Sequence, residues 1–329
     1  MRRTLLVGVG IVVFICGSAL ASPARITLHV PPRAEGTEAP SEARVARVRA
    51  DITHLAVTIG ERNHQAPAAL AAAEAWAEAE LVTAGWSVVR QDIDGVAHNL
   101  VATRVPVDAK PDRPIVLVGA HLDTAEGTPG ADDNASGVAA LLELARNPRL
   151  GAGGREVRVL VYGNEEPPYF QTAKMGSRVH AQAAKAAGEE FAAVWVLESV
   201  GYYDEAAGSQ AWPPGFGLFM PGTADFLMFV GNPASWEQVQ TGLRHFRAGS
   251  TLPAAGASVP GSLEGVDWSD HAEYWRTGQS AVMVTDMPPL RNPHYHEPTD
   301  LPDRVDAVRV AAVVDGMESV LGVRGASPR

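Results

Sequence analysis

The chain has 329 residues, 46% of them hydrophobic, enough apolar material for a sizeable globular core. A formal net charge of −11 excludes nucleic acid as a partner, because that binding wants a basic face. The one cysteine, Cys16, lies in the first segment, so disulfides and Cys-ligated zinc are excluded beyond it. Any metal there falls to His, Asp and Glu.

Residues 1–21 read as an export signal. Arg2 and Arg3 form a positive start, residues 5–15 an apolar run, and Ala19-Leu20-Ala21 a small-x-small cleavage pattern before Ser22. The expected location is therefore secreted or periplasmic, with no stable membrane association once the signal is cut. An uncut signal would leave a membrane anchor, although the apolar run is short for a spanning helix. Residues 22–42, rich in Pro, Ala and charge, read as a linker, and 43–325 as a single domain.

Within the domain, 42–60 predicts a helix with Val45, Val48 and Ile52 on one side. Pro67 opens a second helix, with Leu70, Ala73, Trp76 or Ala77, and Leu81 at helical spacing before Gly85 ends it. Residues 86–91 and 99–105 read as antiparallel strands at a sheet edge. Apolar runs follow at 115–118, 157–162, 193–197 and 281–285, with helical stretches between them that include 136–147 and 174–187. Strands alternating with helices predict a three-layer α/β/α fold with a mostly parallel central sheet and antiparallel edge strands. Residues 206–265, dense in Gly, Pro and aromatics, read as part strand or helix and part pocket-forming excursion. Residues 303–321 read as a C-terminal amphipathic helix.

The chemistry is expected where these runs end. His121 and Asp123 follow the first run, Glu165 and Glu166 the second, Glu198 the third and Asp286 the fourth. In open α/β sheets the ligand site lies beyond the carboxyl ends of the strands. Acids gathered there repel one another unless cations sit among them, and oxygen and nitrogen ligands suit zinc or a similar divalent ion. Of neighbouring Glu165 and Glu166, one can ligate while the other faces the substrate as a proton acceptor. Asp133 could bridge two ions about 3.5–4 Å apart, and residues 132–136 also suit a helix cap. Asp123 would suit an acceptor that fixes the His121 imidazole. In the late segment 292–298, spacing leaves His294 and His296 equally open, and Asp270-His271 is a further pair. No GxSxG, GxxxxGK[ST] or HExxH pattern is present, and Gly8-Val9-Gly10 lies in the signal.

The ordered stretches GAHLDT, GADDNASG, GNEEPPYF, LESVGYY, SDHAEYW and NPHYHEPTD resemble peptidase family M28, the di-zinc aminopeptidases of bacterial secreted type. They cover about residues 43–322. The resemblance implies two zinc ions per chain. His121 and Glu198 would bind the first, Asp133 would bridge, and Glu166 and His296 would bind the second. It also implies Glu165 as general base, Tyr295 as a hydrogen-bond donor to the oxyanion, and Asp123 as the acid supporting the ligands. Glu198 stands where the best-known members carry Asp, one methylene shorter. The implied function is an exported metallo-aminopeptidase that cleaves N-terminal residues from peptides with zinc-activated water. Zinc-dependent glutaminyl cyclases and carboxypeptidases share the fold. A carboxypeptidase would want an arginine cluster, for which Arg276 or Arg291 cannot be placed from sequence. A peptide-binding module without catalysis is the rival from another class.

Overall fold

The computed structural model describes residues 25–27, 37–105, 114–151, 155–213 and 220–323; the expected export signal, 1–21, lies outside the described residues. Strand β1 (Arg25–Thr27) precedes helices α1 (Glu42–Thr53) and α2 (Pro67–Thr83). Strands β2 (Ser87–Ile93), β3 (Ala97–Arg104) and β4 (Ile115–His121) follow, then α3 (Ala135–Ala145), β5 (Val157–Tyr162), α4 (Gly176–Ala186) and β6 (Phe191–Glu198). The remainder is β7 (Leu227–Gly231), α5 (Trp236–Gly249), β8 (Ala254–Ser258), α6 (His271–Arg276), β9 (Ala281–Thr285) and α7 (Ala307–Val320).

All nine strands among the described residues form one sheet, ordered β1-β8-β7-β9-β6-β4-β5-β3-β2. The centre, β9-β6-β4-β5, is parallel. The β2–β3 hairpin continues it antiparallel at one edge. At the other, β7 and β8 run parallel to each other and antiparallel to β9, with β1 antiparallel on β8. This is the expected α/β/α architecture. β5, β7, β8 and β9 are buried at every position, because both faces are covered, and their residues are mostly apolar.

Side chains alternate between the two faces. Val159, Val161, Trp195, Leu197, Val282 and Val284 meet the larger layer, built on α1, α2, α3, α5 and α7. Leu160, Tyr162, Val194 and Val196 meet α4 and α6 through Ala181 and Tyr274. Over β7 to β9 that second face carries Met228, Val230, Ala257 and Met283 with loop residues Trp212, Val266 and Met287 against them. On the opposite face, Gly242 and Gly316 let α5 and α7 approach closely, since a Cβ at either would overlap the ring of Trp195 or Phe246.

The structure makes three expectations more specific. The linker contributes strand β1. The first helix ends at Thr53 and passes into a π-helical turn, His54–Ile59, closed by Gly60 at φ 81°. Within 206–265, the part that is strand or helix is β7, α5 and β8, of which β7 and β8 extend the sheet, and the flanking loops are the excursion. AAGAS, the sequence of β8, lacks the β-branched and aromatic residues that mark a strand. At the C-terminus α7 starts at Ala307, capped by the Asp306 carboxylate accepting from the Val308 and Arg309 amides.

Candidate active site

The central parallel strands end on one side, where β4 delivers His121, β5 leads to Glu165 and Glu166, and β6 delivers Glu198. Three non-glycine residues here take left-handed backbone: Asn164 (φ 56°), Ser199 (φ 46°) and His296 (φ 58°). Such conformations concentrate at functional sites, where surrounding structure holds them. Two of them adjoin Glu165 and Glu198 and the third is His296 itself. Asp133 enters from the turn before α3, whose first residues are capped by Asn134 accepting from the Gly137 amide. Asn134 also accepts from Ser199 N and donates to Leu197 O, tying the start of α3 to the end of β6.

Two ligand-like groups form around Asp133. In one, His121 Nε2 lies 3.2 Å from Asp133 Oδ1 and 3.3 Å from Glu198 Oε2. In the other, His296 Nε2 lies 3.1 Å from Asp133 Oδ2 and 3.3 Å from Glu166 Oε1. Within each group the donor atoms lie within 4.8 Å of one another. Glu165 belongs to neither.

The chemistry of these atoms fits a pair of divalent cations. His121 Nε2, Asp133 Oδ1 and Glu166 Oε1 are buried and have no hydrogen-bond partner, an arrangement that leaves desolvated polar atoms uncompensated. Protein charge alone balances the cluster only by protonating it. Burial pushes the Glu165 carboxyl well up, partly opposed by His121 and reinforced by Glu166 and Glu198. Glu166 is pushed up to about 7 by burial and by Asp133. Burial pulls the imidazoles down, yet neighbouring carboxylates raise His121 well above its ordinary value and His296 to about 10. Imidazole and carboxylate donors converging on two points are what zinc-like ions accept.

The surrounding residues hold the donors in place. The Asp123 carboxylate accepts from the Glu165 and Glu166 amides, both at 3.0 Å. His121 Nδ1 meets the Asp123 carbonyl at 3.1 Å, whereas the carboxylate stands 3.7 Å from that nitrogen. Asp123 thus meets the ring through both its carbonyl, which is nearer, and its carboxylate, and the carboxylate also fixes the Glu165-Glu166 turn. Ser269 Oγ donates to Glu198 Oε2 at 2.7 Å. Asp300 accepts from the Asp132 and Asp133 amides at 2.9 and 3.1 Å. Ser269 and Asp300 lie in the stretches SDHAEYW and NPHYHEPTD, but the sequence reasoning gave neither a role.

Other candidates turn elsewhere. Asp286, expected among the converging acids, accepts from Tyr202 N at 2.7 Å and joins neither group. His294 Nδ1 meets Thr299 Oγ1 at 2.9 Å, and His271 Nε2 meets Val266 O at 2.8 Å. Asp270 is buried, with both carboxylate oxygens unpartnered, and burial pushes its pKa up to about 8. Tyr295 stacks on His296, with ring centroids 3.9 Å apart. Beside the cluster lies a cavity of about 610 Å³ bounded by Glu198 and Tyr295 and lined by Trp212, Met228, Trp268 and Met283.

The fold is thus a three-layer α/β/α one whose strand ends gather acids and imidazoles into a double ligand set. The profile of peptidase family M28 matches residues 99–321, and the chain belongs to that family. The uncharacterized protein YfbL of Escherichia coli K12 is 38% identical over 252 residues, which are 73% of this chain and 76% of YfbL. LapA aminopeptidase of Legionella pneumophila superposes with a TM-score of 0.62 at 17% identity, covering 88% of this chain and 75% of LapA. A glutaminyl cyclase of Tannerella forsythia does so with a TM-score of 0.61 at 18% identity, covering 84% and 97%. At these identities the two structural likenesses establish the fold.

Proposed function

We propose that this chain is an exported aminopeptidase that uses two zinc ions to remove N-terminal residues with apolar side chains from peptides. The observation that carries this reading is the pair of ligand groups sharing Asp133. His121, Glu198 and Asp133 Oδ1 would hold one ion, and Asp133 Oδ2, Glu166 and His296 the other. Ions so held supply positive charge for a substrate carbonyl and lower the pKa of a water molecule.

The chain's own groups do the rest. Glu165, buried and outside both ligand groups, takes the proton of the attacking water and returns it to the departing amine nitrogen. Burial and the nearby Asp133 and Glu198 carboxylates hold the Tyr295 phenol far above its ordinary pKa. It therefore remains a donor, able to hydrogen-bond the oxygen of the tetrahedral carbon. The cavity beside Tyr295 suits the side chain of the first residue, and its acids, Glu198 and Glu264, favour an amine over a carboxylate. Among the described residues no arginine or lysine lines it. Arg276 is tied to Glu273 and Asp267, and Arg291 to Gln210 Oε1 and Phe226 O. Neither lines the cavity, which disfavours the carboxypeptidase alternative.

The test is turnover of a panel of aminoacyl-nitroanilides beside N-acetylated, C-terminal and N-terminal-glutaminyl peptides. Cleavage of free-amine substrates, fastest for Leu, Met or Phe, is expected. Cyclisation of the glutaminyl peptide without hydrolysis of the others would replace this reading with the cyclase one. Export is tested separately: protein recovered outside the cytoplasm should begin at Ser22, and cytoplasmic retention would contradict it.

A further inference from the structure

Arg62 is 0% exposed and lies in the turn between the π-helical segment and α2. Its guanidinium bonds only to carbonyl oxygens. Nε donates to Leu122 O at 2.7 Å, Nη2 to Gly130 O at 3.0 Å, and Nη1 to Pro129 O at 2.8 Å. Nη1 also reaches Gly60 O at 3.2 Å and Leu55 O at 3.4 Å. Burying a cation without a carboxylate partner is expensive. Burial lowers this group to about 10, so it stays charged at neutral pH.

What the cation holds is informative. Leu122 follows His121 directly, and Gly130 lies three residues before Asp133. One planar fork therefore closes both ends of the loop whose flanks carry His121 and Asp133, two of the three donors of the first ligand group. Neighbours of Arg62 hold the middle. Asn63 Nδ2 donates to Thr124 O and Ala125 O, and Glu61 Oε1 accepts from Gly127 N.

We propose that Arg62 is a positioning residue for the metal centre, its guanidinium setting the separation of His121 from Asp133 by clamping the 122–130 loop at both ends. Lysine cannot replace it, because an ammonium offers three donors from one point and cannot span both ends. The inference rests on the two-ion reading above.

The test is zinc affinity, by competition with a chromophoric chelator, for wild type, Arg62→Lys, Asn63→Ala and a control, Leu81→Ala, which opens the core away from the loop. Arg62→Lys should bind zinc about 10–100-fold more weakly, the range seen when groups supporting metal ligands are removed. Its kcat should fall while KM stays within about twofold, because the cavity walls on β7 to β9 are untouched. Asn63→Ala should shift affinity the same way by less, and Leu81→Ala should lower stability while keeping wild-type zinc affinity. If Arg62→Lys fails to fold, Asn63→Ala decides. Wild-type affinity in the folded Arg62 or Asn63 variants overturns the inference alone. Wild-type protein that binds no zinc sinks the metal reading and this inference with it.

Discussion

Glu165 and Glu166 are sequence neighbours with different surroundings. Glu166 sits 3.3 Å from His296 Nε2, while Glu165 stays outside both ligand groups with its amide pinned by Asp123. Replacing Glu165 by Gln keeps the shape and removes the proton acceptor. The expected outcome is a fall in kcat of about 10²–10⁴-fold with unchanged zinc content, measured by steady-state turnover and metal analysis on one sample. Undiminished turnover would remove Glu165 from the mechanism. At this scale, residues that follow strands were legible, because a strand end fixes where an acid or imidazole lands. The choice between His294 and His296 was not legible from spacing. It depends on the positive φ of His296 and on Thr299 engaging His294, neither of which period-2 spacing encodes. Asp300 and Ser269 were illegible for a related reason: they act through a backbone amide and a hydroxyl bond across more than 70 residues of chain.

Among the elements, α5 shows a local preference opposed by packing. Helix propensity favours alanine over glycine in a helix interior by about 1 kcal/mol. At Gly242, however, an added Cβ overlaps the Trp195 ring and lies 3.3 Å from Phe229. Both are large rings in the core. Gly242→Ala should therefore destabilise the protein, by about 1–3 kcal/mol, as read from denaturant unfolding; a gain in stability would show that α5 can move off the sheet. The same helix explains why 206–265 was only partly read. Its flanking strands are five residues each, bounded by Gly and Pro, and one is mostly alanine. The central strands were legible because burial on both faces demands unbroken apolar runs. The edge strand β2, exposed or half-buried over most of its length, instead mixes apolar and polar residues.

For the whole molecule, stability couples to pH through groups far from the donors. His180 is buried between Tyr274, at 2.8 Å from Nδ1, and Arg158, at 3.2 Å from Nε2. Burial, helped by the Arg158 charge, lowers its pKa from 6.5 to about 3. The unfolded chain therefore binds a proton at this site between those values and the folded chain does not. The contribution is fully present above about pH 6.5 and is lost as pH falls towards 3, amounting to several kcal/mol in all. Thermal melting between pH 7 and 4 should show this loss, reduced in His180→Gln; identical profiles would contradict it. At neutral pH bound metal should dominate, since a ligand taken up only by the folded state at 1,000 times its Kd adds about 4 kcal/mol. The measurement that bears most directly on the shared-Asp133 centre is zinc per chain in purified wild-type protein and in Asp133→Asn. Two zincs in wild type, with both sites weakened together in the variant, are expected. One zinc or none in wild type, or loss of a single zinc with the other retained at full affinity, would contradict a centre in which one carboxylate serves two ions.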